Sequence, residues 1–347
     1  MYTIYSKHHK RHDTVGVLAE GHPLDSWEVP ARAEAILQAI EQAELGPVVE
    51  PVDHGLAPIA AVHDAGYLDF LQSAYDDSAA YFGEAGPVFS WTFASRHAAR
   101  KPKSFLGLKG YYCFGWGSPI LAGTWEAAYW SAQCALTAAD WVRAGEPVAY
   151  ALCRPPGHHA AVDLYGGYCY LNNAAIAACY LQGGDGRVAV LDVDYHHGNG
   201  TQLIFYEDPA VFYASLHVDP DEDYPYYWGG AEEAGEGAGT GTNRNWPLPR
   251  GTRDVDYLQA LDEALEAIGR FSADYLVVSA GLDVVEGDPE GGMAISREGL
   301  RLAGQRIGAL DMPTVIVQEG GYLLNELGRN AVIFLQGACE RSVSMLK

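Results

Sequence analysis

The residues with the most chemistry to offer fall in four short segments. In LDVDYHHGNG (191–200), Asp192, Asp194 and His196 recur at every second position, so an extended chain sends all three side chains off one face. An aspartate oxygen and an imidazole nitrogen at such an edge are half of a divalent-metal site, and Asp283 in AGLDVVEGDPEGG supplies another carboxylate. Asp194, His196 and Asp283 thus make a two-carboxylate, one-imidazole set with room for water, the open arrangement of a catalytic centre. RPPGHH (154–159) holds tandem His158 and His159 in a Pro-Pro-Gly turn, and imidazoles there suit proton transfer because they titrate near neutrality. Each ring needs a partner on its other nitrogen, for which Asp192 and Asn199 are the candidates. In EGGY (319–322) the glycine pair allows an irregular turn that presents Tyr322, whose phenol can hydrogen-bond an oxyanion. Singly, such residues more often cap turns or fill cores. Together they read as a hydrolytic metal site.

These segments follow short apolar runs. VAYALC (148–153), VAVLDVD (188–194), VFYASLH (211–217), YLVVSAG (275–281) and TVIVQEGG (314–321) read as buried strands. Helical patterns occupy 30–44, 124–143, 172–182, 255–271, 296–310 and 325–340. Continuous apolar strands alternating with helices predict an α/β fold with a central, mostly parallel sheet flanked by helices. Ligands of such sheets gather at the carboxyl ends of the strands, where the polar segments sit. No repeat or linker divides the chain, so one domain over 1–347 is expected. It carries an aromatic, Gly-rich insertion at about 72–123, whose exposed Phe105, Tyr111, Tyr112, Phe114 and Trp116 suit a homodimer interface that narrows the site's mouth.

The chain has 347 residues, with 45 acidic and 22 basic side chains for a formal charge of −23. That balance disfavours nucleic acid as a partner and favours attraction of a cationic small molecule. Six scattered cysteines without a CxxC pair suggest free thiols and a cytoplasmic protein. The first thirteen residues lack an apolar run, and no stretch of about 18 apolar residues occurs, so neither a signal peptide nor a membrane span is expected.

RPPGHH, GGYCYLNNAA, LDVDYHHGNGTQ, SLH, GLD…GDP and EGGY, in this order and spacing, resemble the arginase–deacetylase superfamily and within it the zinc-dependent, histone deacetylase-like amidohydrolases. The insertion closing with SPILAGTWEAA is most like bacterial acetylpolyamine amidohydrolases. The resemblance implies a deacetylase acting on acetylated polyamines. Asp194, His196 and Asp283 would hold one catalytic Zn2+. His159 would be general base and acid beside Asn199, a position where several relatives carry Asp. His158 would act electrostatically with Asp192, and Tyr322 would polarise the carbonyl. Gly167, Tyr168 and Tyr224 would line a tunnel for an aliphatic chain, with Glu290 as an acid for a substrate ammonium. Asp192, Asp194, His196, Ser215 and Leu216 match a K+ site. Val17 and Leu106 stand where some acetylpolyamine hydrolases carry acids. Asp219, Asp221, Glu222 and Asp223 are read as long-range attraction for a cation. A lysine or other small-acylamine deacetylase is the alternative. A two-metal ureohydrolase needs more Asp and His ligands than the chain offers, and a non-catalytic binding module has no use for His159 and Tyr322.

Overall fold

Each of the five apolar runs becomes a strand that stops within two residues of where its sequence turns polar or Gly-rich. The computed structural model describes residues 1–19, 22–23, 26–94, 100–184 and 186–340. Its main sheet has eight strands: β1 (Tyr2–Ile4), β2 (Val48–Val49), β3 (Val148–Ala151), β4 (Val188–Asp192), β5 (Val211–Val218), β6 (Asn243–Leu248), β7 (Tyr275–Ala280) and β8 (Thr314–Gln318). The order is β2-β1-β3-β8-β7-β4-β5-β6, and every neighbouring pair is parallel. Three strands have no apolar signature. β1 and β2 are too short to show a period, and β6 (NRNWPL) is polar and carries Pro247 at the sheet edge, where a missing N–H is tolerated.

Alternation along the strands divides the core in two. Ala149, Ala151, Val188, Val190, Val277, Val315 and Val317 face a layer built from α2 (Ala65–Phe82), α3 (Thr124–Arg143) and α4 (Asn173–Gln182). Their neighbours Val148, Tyr150, Ala189, Leu191, Leu276, Val278 and Ile316 face α1 (Ala31–Gln42), α5 (Asp254–Phe271), α6 (Arg297–Gly308) and α7 (Leu324–Cys339). This is the period of two of a sheet buried on both faces. Helix boundaries follow local chemistry. Asn172 caps α4 by accepting from the Ala175 N–H at 2.9 Å, and Gly183 ends it with φ +57°.

The insertion is more regular than its composition suggests. Residues 72–82 continue α2, and Phe105–Tyr111 is a further helix. Residues 95–99 lie outside the described residues. Of the five aromatics expected at the surface only Trp116 is exposed. Tyr112 is buried between Tyr67 and Phe70, at ring-centroid distances of 5.5 and 5.2 Å, and Phe105, Tyr111 and Phe114 are half-buried. The exposed rings are instead Tyr81, Phe82, Trp91, Phe93 and Trp116. Among the described residues, no helix is long and apolar enough to cross a membrane.

Candidate active site

The four strands that carry the chemical segments, β3, β8, β7 and β4, lie side by side in the middle of the sheet. Their carboxyl ends therefore meet at one place. Beyond β4 the alternation continues through the polar segment. Val193 and Tyr195 point into the core beneath α5, which leaves Asp192, Asp194 and His196 on the other side. His196 Nδ1 lies 3.2 Å from Asp194 Oδ1 and 3.3 Å from Asp283 Oδ2, and one potential ligand atom from each of the three residues lies within 4.8 Å of the others.

Backbone amides fix these groups. The Tyr195 N–H donates to Asp283 Oδ1 at 2.9 Å, and the Gly320 N–H to Asp194 Oδ2 at 2.8 Å. Asp283 Oδ2 is buried and, among the described residues, accepts no hydrogen bond; it faces His196 Nδ1, and a cation held between the two would satisfy it. Gly281 and Gly320 leave the space free, since a Cβ on either would sit 2.0 Å from Asp194 Oδ2 or 2.1 Å from Asp283 Oδ2. Burial and the Asp194 carboxylate push Asp283 up to about 7, whereas the His158 and His196 charges outweigh burial and hold Asp194 far below the carboxylate range. Two buried carboxylates this close ionise together only with a cation between them. Two carboxylates and an imidazole fit a divalent ion.

The tandem histidines carry the partners expected of them. His158 Nδ1 is 3.1 Å from Asp192 Oδ2, and His159 Nδ1 is 2.7 Å from Asn199 Oδ1. Their rings, 4.1 Å apart, are driven in opposite directions. Against the pull of burial, Asp194 and Asp192 raise His158 to about 10, while burial and the His158 and His196 charges hold His159 well below 6.5. The surroundings favour the charged form of His158 and the neutral form of His159.

His158, His159, His196, Gly167, Tyr168, Tyr224, Glu290 and Tyr322 line one cavity of about 40 Å³. Asp192 and Asn199 stand behind the two histidines, and Asp194 and Asp283 behind His196. Gly167 and Tyr168 both adopt positive φ, +54° and +65°. The Tyr168 N–H donates to Ser118 Oγ at 2.7 Å and its hydroxyl to Glu290 Oε1 at 3.3 Å. Tyr224 stacks on Phe114, with ring centroids 6.2 Å apart, so the insertion buttresses the cavity wall. Val17 and Leu106 do not line the cavity. Three of the four acids read as long-range attraction are already engaged, and Asp219 Oδ1 accepts from the Asp221 N–H at 3.0 Å. Asp223 pairs with the Arg250 guanidinium, and Glu222 accepts from the Arg250 N–H.

Sequence reasoning passed over the groups that brace this site. Glu319 Oε2 accepts from the Gly157 and His158 N–H groups at 2.6 and 3.1 Å and so pins the histidine loop. Asp288 Oδ2 accepts from the N–H groups of Tyr322 and Leu323, at 2.6 and 2.9 Å. Arg32 in α1 donates to the carbonyls of Glu319 and Gly321, both at 2.6 Å, and its guanidinium lies 4.4 Å from the Tyr322 ring centroid. Glu28 neutralises Arg32 and Arg154 at 3.0 and 2.8 Å. An acid directly after a buried strand was a usable signal for Glu319. Nothing local marks Arg32. His158, Cys169 and Glu319 also cluster, but Glu319 is occupied by backbone donors, and burial holds the Cys169 thiol well above its usual range.

Residues 26–338 match the model of the histone deacetylase domain. Acetylpolyamine amidohydrolase 1 of Pseudomonas aeruginosa is 46% identical over 341 residues, 97% of this chain and 98% of that protein. Acetylpolyamine amidohydrolase of Mycoplana ramosa is 45% identical over 341 residues, 97% of this chain and 99% of its own. The crystal structure of acetylpolyamine aminohydrolase from Burkholderia pseudomallei superposes with a TM-score of 0.92 at 44% identity, covering 98% of this chain and 99% of that one.

Proposed function

The chain belongs to the histone deacetylase family, and from that premise we propose that it removes acetyl groups from acetylated polyamines. The observation that carries the substrate class is Glu290, a carboxylate in the 40 Å³ cavity that also holds His159 and Tyr322. Near-full-length identity to proteins named acetylpolyamine amidohydrolases supports the same reading.

Asp194, His196 and Asp283 would hold a single zinc ion. When bound, zinc supplies Lewis-acid polarisation of the amide carbonyl and a more acidic water. His159 takes the proton from the attacking water, in the orientation that Asn199 fixes, and the resulting imidazolium returns it to the departing amine. His158 keeps its charge between Asp192 and Asp194. Tyr322, braced by Asp288 and Arg32, donates to the oxyanion as charge develops there. Gly167, Tyr168 and Tyr224 shape the channel, and Glu290 receives a substrate ammonium.

The proposal extends to a structural K+ at Asp192, Asp194, His196, Ser215 and Leu216, on resemblance alone. It includes a homodimer through the 72–123 insertion, supported by the exposed Tyr81, Phe82, Trp91 and Trp116 rings. A single domain is supported by one sheet that draws strands from Tyr2 to Gln318. A cytoplasmic location is supported by six scattered cysteines without a CxxC pair.

The test is kcat/KM on a panel of acetylated polyamines and acetyl-lysine peptides, with wild type and Glu290→Leu. Wild type should prefer the polyamines. The variant should move the ratio of the two activities toward acetyl-lysine by roughly 5–30-fold, the scale of one charge-assisted hydrogen bond. A wild type that prefers acetyl-lysine would establish a lysine deacetylase instead.

A further inference from the structure

Tyr224 carries a hydroxyl for which an apolar channel wall has no use. Its ring is held on three sides. It stands edge-on to His159 at 5.1 Å and to His196 at 6.0 Å, and it stacks on Phe114 at 6.2 Å. Its hydroxyl is buried and has no hydrogen-bond partner among the described residues. It lies on the cavity wall beside Gly167, where a Cβ would come within 2.9 Å of it. The Tyr168 phenol of the same wall is satisfied, since its hydroxyl donates to Glu290. A methylene chain would pack as well against Phe, without leaving a buried hydroxyl unpaired. A bound molecule that brings a polar group to this depth would satisfy that hydroxyl.

We propose that the Tyr224 hydroxyl accepts a hydrogen bond from the first ammonium group beyond the substrate's acetamide, sharing that ammonium with Glu290. This rests on the acetylpolyamine reading and narrows it to amides whose next nitrogen follows a short spacer of three or four methylenes. A cavity of about 40 Å³ is small enough for one bound group to meet both residues. An alkylammonium has several N–H donors to place, and the ionised carboxylate and the phenol oxygen accept one each. The Tyr224 ring adds a favourable face for the cation. A neutral alkyl chain would leave the phenol as unpaired as it is without substrate. Burial raises the Tyr224 phenol well above its usual range, so it remains a neutral hydroxyl.

The experiment compares wild type and Tyr224→Phe, each as the zinc-loaded enzyme, on N-acetyl-1,4-diaminobutane and on N-butylacetamide, which has the same chain without the charge. Wild type should have the higher kcat/KM on the charged amide. Tyr224→Phe should lower that value about tenfold and leave N-butylacetamide within twofold, with unchanged zinc content. Activity retained on the neutral amide shows that the variant is folded. An equal loss on both amides would reduce Tyr224 to a packing residue, and no loss on either would remove the hydrogen bond; both overturn the inference while leaving the acetylpolyamine reading standing. A wild type indifferent to charge would refute that reading itself, and this inference with it.

Discussion

Adding one methyl group at Gly167 should disable the base without unfolding the protein. Gly167 has φ +54°, and a Cβ built there lies 2.4 Å from His159 Cδ2 and 2.9 Å from the Tyr224 hydroxyl oxygen. An ordinary contact needs at least 3.4 Å, so the His159 ring must retreat by about 1 Å. It has nowhere to go, because Asn199 holds Nδ1 at 2.7 Å and the His158 ring lies 4.1 Å away. The positive φ alone costs an alanine roughly 1–2 kcal/mol, a loss of a few degrees in melting temperature. A catalytic group misplaced by about 1 Å costs on the order of 100-fold in rate. Gly167→Ala should therefore keep its zinc and its fold while kcat on an acetylated polyamine falls roughly 100-fold. Steady-state kinetics with metal analysis and a thermal melt read all three. A zinc-loaded, folded variant with kcat within threefold of wild type would refute the claim that this glycine sets the position of the base.

Other expectations follow from the same geometry. Asp283→Ala removes one of two carboxylates around His196, so metal content and activity should disappear together; a full metal complement would show that Asp283 is not a ligand. Asn199→Asp places a carboxylate against His159 and favours its protonated form, so the acid limb of the kcat/KM profile should move up by about one pH unit, and an unmoved limb would separate Asn199 from the base. Burial pushes His63 down from 6.5 to about 4, in a site where Nδ1 donates to the Ala161 carbonyl and Nε2 accepts from the Asn172 N–H. The folded value lies below the unfolded one, so the unfolded chain binds the extra proton and stability is lost as pH falls from 6.5 toward 4, by about 3 kcal/mol. Urea titrations at pH 7.5 and 4.5 should show His63→Gln losing less stability than wild type by about that amount, and equal losses would contradict it.

Much of the candidate site was legible in the sequence because its spacing is local. Alternation that begins in β4 and carries on through the irregular residues after it places Asp192, Asp194 and His196 on one side of the chain, and Val193 and Tyr195 on the other. The tandem histidines and the acids that follow buried strands are readable for the same reason, and the five Val-rich runs announce their strands by composition. Resemblance added Gly167, Tyr168, Tyr224 and Glu290, which no local pattern marks. The burial of the insertion's aromatics was not legible, because residues 72–82 complete a helix whose apolar stripe begins at Tyr67 and because the partners that bury Tyr112 lie earlier in the chain. Strand order belongs to the tertiary structure alone: β3, β8, β7 and β4 become neighbours only when the sheet assembles, and that brings Asp283 to His196 and Glu319 to His158. The same holds for Arg32, which reaches the Glu319 and Gly321 carbonyls from the first helix. Sequence spacing fixes which groups share a strand end, because bond geometry dictates it. Which strand ends share a site depends on packing among distant segments, and such contacts leave no period in the chain.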